Sequence, residues 1–155
     1  MAAAGNLSRE YMDRLDIREL LDRYSHAVDF IDGPLLETVF AADATVDYGD
    51  LADTEQFADS PTRAEGIGPI KDLYAKLMKR SYGAMHNMTN HLIELDGDEA
   101  RTRTYMHVNA PYFSGLYRCI CVRTPEGWRI KEYEFVLHTV AQPTKKTITG
   151  TGNKR

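Results

Sequence analysis

The stretch Ala84-Met-His-Asn-Met-Thr-Asn-His91 sets two histidines five positions apart in a run that reads as extended chain. Histidine titrates near neutral pH and also binds metals. The spacing therefore raises three readings: a shared metal ion, an acid–base site, or a polar strand with no chemistry. The remaining histidines are His26, His107 and His138, and no HxxxH, HxH or CxxC arrangement is present. On a regular strand, positions that differ by an odd number face opposite sides, so His86 should point inward and His91 away. A metal ion held by both is not expected, and no cofactor is assigned. Nothing in the chain matches a phosphate loop, a nucleophile elbow or a dinucleotide fingerprint.

An acid–base site remains. A histidine base works best when a carboxylate fixes its tautomer and stabilises the imidazolium that forms. Asp29 is the candidate partner. It lies between Val28 and Phe30 at the end of a long helical segment, where a charged residue among apolar neighbours suggests a pocket. That position is mildly unfavourable for an anion, because it faces the negative end of the helix dipole. Met85, Met88 and Met106 suit an adaptable cavity wall, although core packing explains them equally well.

These side chains need elements to position them. Leu7 to about Asp29 carries Leu7, Tyr11, Leu15, Ile17, Leu20, Leu21, Tyr24 and Val28, mostly at helical steps, with neither Pro nor an interior Gly. Asp32-Gly33-Pro34 restarts a short helix through Leu35, Leu36, Val39 and Phe40, with Asp32 as its cap. Ala44 to Asp50 reads as a strand with Val46 and Tyr48 on one side. Residues 51–66 read as an acidic mobile loop. A third helix follows, with Ile70, Leu73, Tyr74, Leu77 and Met78 on one stripe. From residue 84 the period becomes two. Strands are expected over 85–95 and 100–113 around the turn Asp96-Gly97-Asp98, then after Ser114-Gly115, then after Pro125-Glu126-Gly127. Helices followed by an antiparallel meander make an α+β layout, in which a strongly curved sheet wraps the first helix and leaves a cone-shaped pocket.

The whole chain sets the bounds. At 155 residues it fits one domain, expected over 8–140 between a flexible N-terminus (1–7) and a flexible tail (141–155). Net charge is −4 with scattered basic residues, which argues against a nucleic-acid surface and favours a small, apolar partner. No basic leader and no membrane-length apolar run occur, so a cytoplasmic location and no membrane partner are expected. Cys119 and Cys121 read as a reduced, half-buried pair. Tyr105, Tyr117, Ile120, Val122 and Phe135 are expected on an exposed sheet face, more apolar surface than a monomer shows comfortably, and a homo-oligomer follows.

The segment from Asp16 to Asp50, the strand pair containing His-Asn-Met-Thr-Asn, and the Glu-Gly-Trp-Arg-Ile strand together resemble the SnoaL-like branch of the NTF2-like superfamily, over roughly residues 8–140. The resemblance implies a cone-shaped α+β barrel with a cystatin-like sheet. It further implies cofactor-free lyases, commonly trimeric, with dimers as the alternative. The histidine segment resembles that of hexachlorocyclohexane dehydrochlorinase, in which a His–Asp dyad removes a proton, and this assigns His86 and Asp29 as the dyad. The spacing Tyr24, Asp29, Tyr48 looks like that of bile-acid 7α-dehydratase, and scytalone dehydratase uses related tyrosines, so Tyr24 and Tyr48 become hydrogen-bond donors. His107 stands as a counterpart of a pocket histidine. Tyr133 falls where the dehydrochlorinase carries an arginine, which suits an oxygen leaving group better than chloride. His107, Tyr133 and Met88 are thus expected to touch substrate. The expected activity is a dehydratase-type elimination on a small, largely apolar cyclic molecule. Its alternatives are a ketosteroid isomerase-like isomerase, a ligand-binding module, or a relative of dioxygenase small subunits.

Overall fold

The structure, a computed structural model, describes residues 2–49, 51, 57, 59–80, 83–109 and 112–140. The expected tail, 141–155, lies outside the described residues, as do 52–56 and 58 of the expected loop. Three helices, α1 (Ala2–Asp29), α2 (Gly33–Val39) and α3 (Ile67–Arg80), pack on six strands. The strands are β1 (Phe40–Asp47), β2 (Arg63–Glu65), β3 (His86–Asp96), β4 (Glu99–Asn109), β5 (Tyr112–Thr124) and β6 (Gly127–Val140). Their order is β2-β1-β6-β5-β4-β3; β1 runs parallel to β6 and every other pairing is antiparallel. The α+β layout is as expected. Among the described residues no helix is long and apolar enough to cross a membrane.

Helix α1 begins earlier than its apolar pattern suggested, at Ala2, in a run of alanines, the best helix formers. Its buried stripe is Asp13, Ile17, Leu20, Leu21, Tyr24 and Val28. Tyr11 and Leu15, expected on the core face, are exposed. Each lies two residues, about 200° of helix, from Asp13, and so on the opposite side. Asp13 takes the core position because it is fully engaged. It accepts from Trp128 Nε1 at 3.2 Å and from Arg123 Nη2 at 2.6 Å, while the Arg123 guanidinium lies over the Trp128 ring at 4.5 Å. The Arg123 guanidinium beside it holds the Asp13 carboxyl below its ordinary range. This cluster fastens the N-terminal half of α1 to β5 and β6.

The C-terminal end of α1 closes in a Schellman turn. Ile31 N–H donates to Val28 O at 3.2 Å and Asp32 N–H to Ala27 O at 2.8 Å, with Ile31 at φ 53°. A β-branched residue in that left-handed conformation is strained. Asp32 then caps α2 as expected, its Oδ1 accepting from Leu35 N–H at 2.9 Å.

Ser114-Gly115 is not a turn. Both residues lie within β5, whose register against β6 shifts between them. A Cβ on Gly115 would collide with the Phe135 ring and lie 2.6 Å from Val136 O, so the glycine serves close approach rather than chain reversal. Within 51–66, residues 63–65 form β2 on the outer edge of β1. Tyr117 and Phe135, expected on the exposed sheet face, are 0% and 2% exposed in the core. The face that does meet water alternates with them and carries Arg101, Arg103, Arg118, Glu132 and Glu134. Cys119 and Cys121 are free and fully buried, and burial pushes the Cys119 thiol up to about 12.

Gly115→Ala is expected to destabilise the protein by about 1–3 kcal/mol, the usual range for overpacking, measured as the loss in urea unfolding free energy.

Candidate active site

The chain reversal after α1 and the start of β3 bring Asp29 and His86 together across 57 positions of sequence. His86 Nδ1 lies 2.6 Å from Asp29 Oδ1, and the His86 backbone N–H donates to both carboxylate oxygens, at 3.2 and 3.1 Å. Their side chains are only 4% and 14% exposed, so the pair is shielded from water. An ionised carboxylate can only accept, so Nδ1 carries the proton in this bond. That leaves the Nε2 lone pair on the far side of the ring, the tautomer a general base requires.

The two histidines are not on opposite faces. Asn90 sits at φ 53°, and the pairing of β3 with β4 slips between Thr89 and Leu92. This bulge inserts one residue and resets the alternation, so the covered side of β3 reads His86, Met88, then His91, Ile93, Leu95. His91 therefore faces inward as well, contrary to the expectation from regular alternation. Its Nδ1 lies 3.0 Å from Thr104 Oγ1, and desolvation pushes its ring pKa down against the pull of Asp22 on α1. Among the described residues no group of three or more His, Cys, Asp or Glu could hold a metal ion.

Strand β4 is regular, and its alternation puts Met106 and Val108 inside and His107 on the exposed outer face. His107 is thus removed from any pocket shared with His86. Met88 faces inward, opposite Met106, and packs against the core.

The tyrosines converge. Tyr24 on α1, Tyr48 after β1, Tyr74 on α3 and Tyr133 on β6 all turn their rings inward to one place. Tyr24 OH is hydrogen bonded to Tyr48 OH, and lies 2.6 Å from Tyr133 OH and 3.3 Å from Tyr74 OH. Tyr48 OH further reaches Tyr133 OH at 3.1 Å and Tyr74 OH at 3.2 Å. Burial pushes all four phenols up, so each stays protonated. Five oxygen pairs share four protons, so each proton can be held within the cluster while lone pairs on the oxygens remain free.

A small cavity of about 10 Å³ joins this cluster to the histidine. His86, Tyr48 and Tyr117 line it together with Leu51, Phe57, Leu77, Met78, Ala84 and Val108. Of the predicted site residues it holds His86 and Tyr48 on its wall, with Asp29 behind His86; Tyr24 and Tyr133 stand behind Tyr48 in the hydroxyl network. Tyr117 was missed as a site residue, although its alternation with Cys119 and Cys121 marks a face that water does not reach. A larger hollow, about 730 Å³, lies on the outer sheet face among Arg101, Arg103, Arg118, Glu94, Glu132 and Glu134. Its charges pair with one another, as in Arg103–Glu94 and Arg118–Glu134, rather than converging on a ligand.

Comparison with known proteins follows the same lines. Residues 9–134 match the SnoaL-like domain family. The chain is 32% identical over 132 residues to the uncharacterised protein Rv2910c of Mycobacterium tuberculosis, with 78% of this chain and 82% of that protein covered. Among solved structures, the Kfla4162 protein of Kribbella flavida superposes with a TM-score of 0.74 at 18% identity, covering 86% of this chain and 95% of that one. A candidate scytalone dehydratase from Novosphingobium aromaticivorans gives 0.72 at 19% identity, covering 87% and 90%. A candidate aromatic ring hydroxylase from the same organism gives 0.71 at 25% identity, covering 83% and 91%.

Asp29→Ala is expected to cost about 1.5–3 kcal/mol of stability, the range for hydrogen bonds to a charged acceptor. It should also free the His86 tautomer, read in ¹⁵N spectra as Nδ1 and Nε2 shifts that move toward each other. In β3, Asn90→Val should destabilise by about 1–2 kcal/mol, because the left-handed conformation crowds a side chain at Cβ; thermal unfolding beside Asn90→Gly, which should be tolerated, checks this.

Proposed function

Because the chain belongs to the SnoaL-like family, we propose that it is a cofactor-independent lyase that eliminates water from a small, largely apolar cyclic substrate. The observation that carries the reading is the buried Asp29–His86 hydrogen bond beside a cavity whose other polar wall is tyrosine. The likeness in fold to a candidate scytalone dehydratase agrees with a dehydratase.

His86 Nε2 takes a proton from a carbon made acidic by a neighbouring carbonyl. The C–H electron pair becomes the new C=C bond, and the C–O bond to the leaving hydroxyl breaks. The imidazolium returns its proton to that oxygen, which departs as water, so a single base serves both halves of the reaction. Asp29 holds the ring in the reactive tautomer and offsets its positive charge. Tyr48 lines the cavity and stabilises charge developing on oxygen, while Tyr24, Tyr74 and Tyr133 fix the Tyr48 hydroxyl in place. Tyr24 and Tyr133 thereby act through Tyr48, as positioning residues. No role follows for His107.

An isomerase shares the first step and differs only in where the proton returns. The assay therefore uses a panel of cyclic β-hydroxyketones in deuterium oxide, followed by NMR for exchange at the α-carbon and by ultraviolet absorbance for the enone. Exchange with enone formation supports the lyase; exchange with a shifted double bond and a retained hydroxyl identifies the isomerase. His86→Ala should lower the rate by about 10²–10⁴-fold, the contribution of a positioned acid–base group. Unchanged turnover in that variant would show that His86 is not the base.

A further inference from the structure

We propose that Asn109 is a positioning residue for the Asp29–His86 pair: its carboxamide holds the backbone that enters β3 and so sets where the His86 ring lies. The inference rests on the reading of His86 as the base and adds to it the group that places it.

The pairing of β3 with β4 begins at His86 opposite Val108, and Met85 lies outside the strand. Asn109, the last residue of β4, supplies with its side chain what the ladder does not. Its Oδ1 accepts from Met85 N–H at 2.6 Å, and its Nδ2 donates to Gly83 O at a longer 3.5 Å. One carboxamide thus offers both an acceptor and a donor to the segment, as the backbone of a neighbouring strand would.

Two successive amides are therefore taken by side chains from different elements. Met85 N–H goes to Asn109 on β4, and His86 N–H goes to Asp29 at the end of α1. Asp29 also holds the ring through Nδ1. Asp29 ties His86 to the helix, and Asn109 ties the residue before it to the sheet. Upstream the chain turns at Gly83, at φ 79°, a conformation glycine adopts without constraint from a side chain. Ala84, between the turn and Met85, lines the cavity with His86, so the same carboxamide also places part of that wall.

Exposure decides what kind of role this is. Asn109 is exposed and Met85 is 60% exposed, so water can satisfy the Met85 N–H once the carboxamide is gone. What water does not supply is a fixed position. A reacting group must be held within about 0.5 Å of its productive place by the groups behind it. Asn109 touches neither the ring nor the cavity and acts only through the backbone.

The test follows the full chain by ¹⁵N NMR beside Asn109→Ala and Asn109→Asp, at about pH 8, above the ordinary histidine range. Asp keeps an oxygen for Met85 N–H, and high salt screens its added charge. In Asn109→Ala, hydrogen exchange at the His86 amide should quicken about tenfold, the upper range for one hydrogen bond. The amide of Ile130, 0% exposed in the core, should exchange as in the wild type. The His86 Nδ1 and Nε2 shifts should move toward each other as the ring leaves its single tautomer, and Asn109→Asp should restore both readings. The proposal is overturned if Asn109→Ala leaves the ring shifts unchanged, if the Ile130 amide quickens along with His86, or if Asn109→Asp fails to restore the ring. None of these readings needs turnover, so a failed lyase assay leaves them standing, and their failure leaves the His86→Ala assay to judge the base.

Discussion

Asp29 ends α1 and fixes the start of β3, and the site can exist only if this one carboxylate is held. An anion in the last turn of a helix meets the negative end of the dipole, and taking it out of water adds a further cost. His86 answers both terms with its backbone N–H across the two oxygens and its ring nitrogen on one. The strand therefore cannot move from the helix end without leaving a buried charge unpaired. The strained Ile31 immediately downstream fits the same constraint: the chain turns within two residues of Asp29, with a β-branched side chain where glycine is usual.

Opposite this charged contact lies a polar island of a different kind. Tyr24, Tyr48, Tyr74 and Tyr133 bring bulky rings to the core and so supply much of its apolar packing, yet their hydroxyls meet away from water. Each pays its desolvation cost through another tyrosine rather than through backbone. The hydroxyls come from α1, the end of β1, α3 and β6, so the network also ties together elements far apart in sequence. At the N-terminal half of α1, Asp13 does the same for β5 and β6 through Arg123 and Trp128. The long helix is thus pinned by carboxylates near its centre and at its C-terminal end, and by a phenol between them.

Much of this was legible from residue type and period. The amphipathic runs gave three helices, the period of two gave the meander, and an aspartate between Val28 and Phe30 pointed to a partner in the His86 strand, which the family resemblance then identified. Two of the failures share a cause, a local break in a regular period. Asn90 is one residue of bulge, and it turns His91 from the outside to the inside. Gly115 looked like a turn because glycine more often marks one, whereas here it makes room for Phe135. With Ser114-Gly115 taken as a strand boundary, the face of β5 could not be assigned, and Tyr117 went to the wrong side. His107 shows the complementary limit. Alternation on β4 is regular, but a sequence does not say which of two faces is inside, and only the pairing of Met106 with Met88 and Val108 with His86 decides it.

The polar atoms inside the fold then divide by whether they are already committed. Tyr24 is bound to Tyr48, Tyr74 and Tyr133, Tyr48 is bound to Tyr74 and Tyr133 as well, and Nδ1 of His86 is bound to Asp29, so these groups have partners inside the protein. Their rigidity makes them poor ligands for anything new and good supports for their neighbours. A site that stabilises developing charge needs donors that do not reorganise at the moment of reaction, and such donors must be locked by groups that stand behind them. Here the locked layer is complete within the protein, and the cavity lies on its inner side. The space beside this layer is small, about 10 Å³, and is walled by His86 and Tyr48 together with apolar side chains.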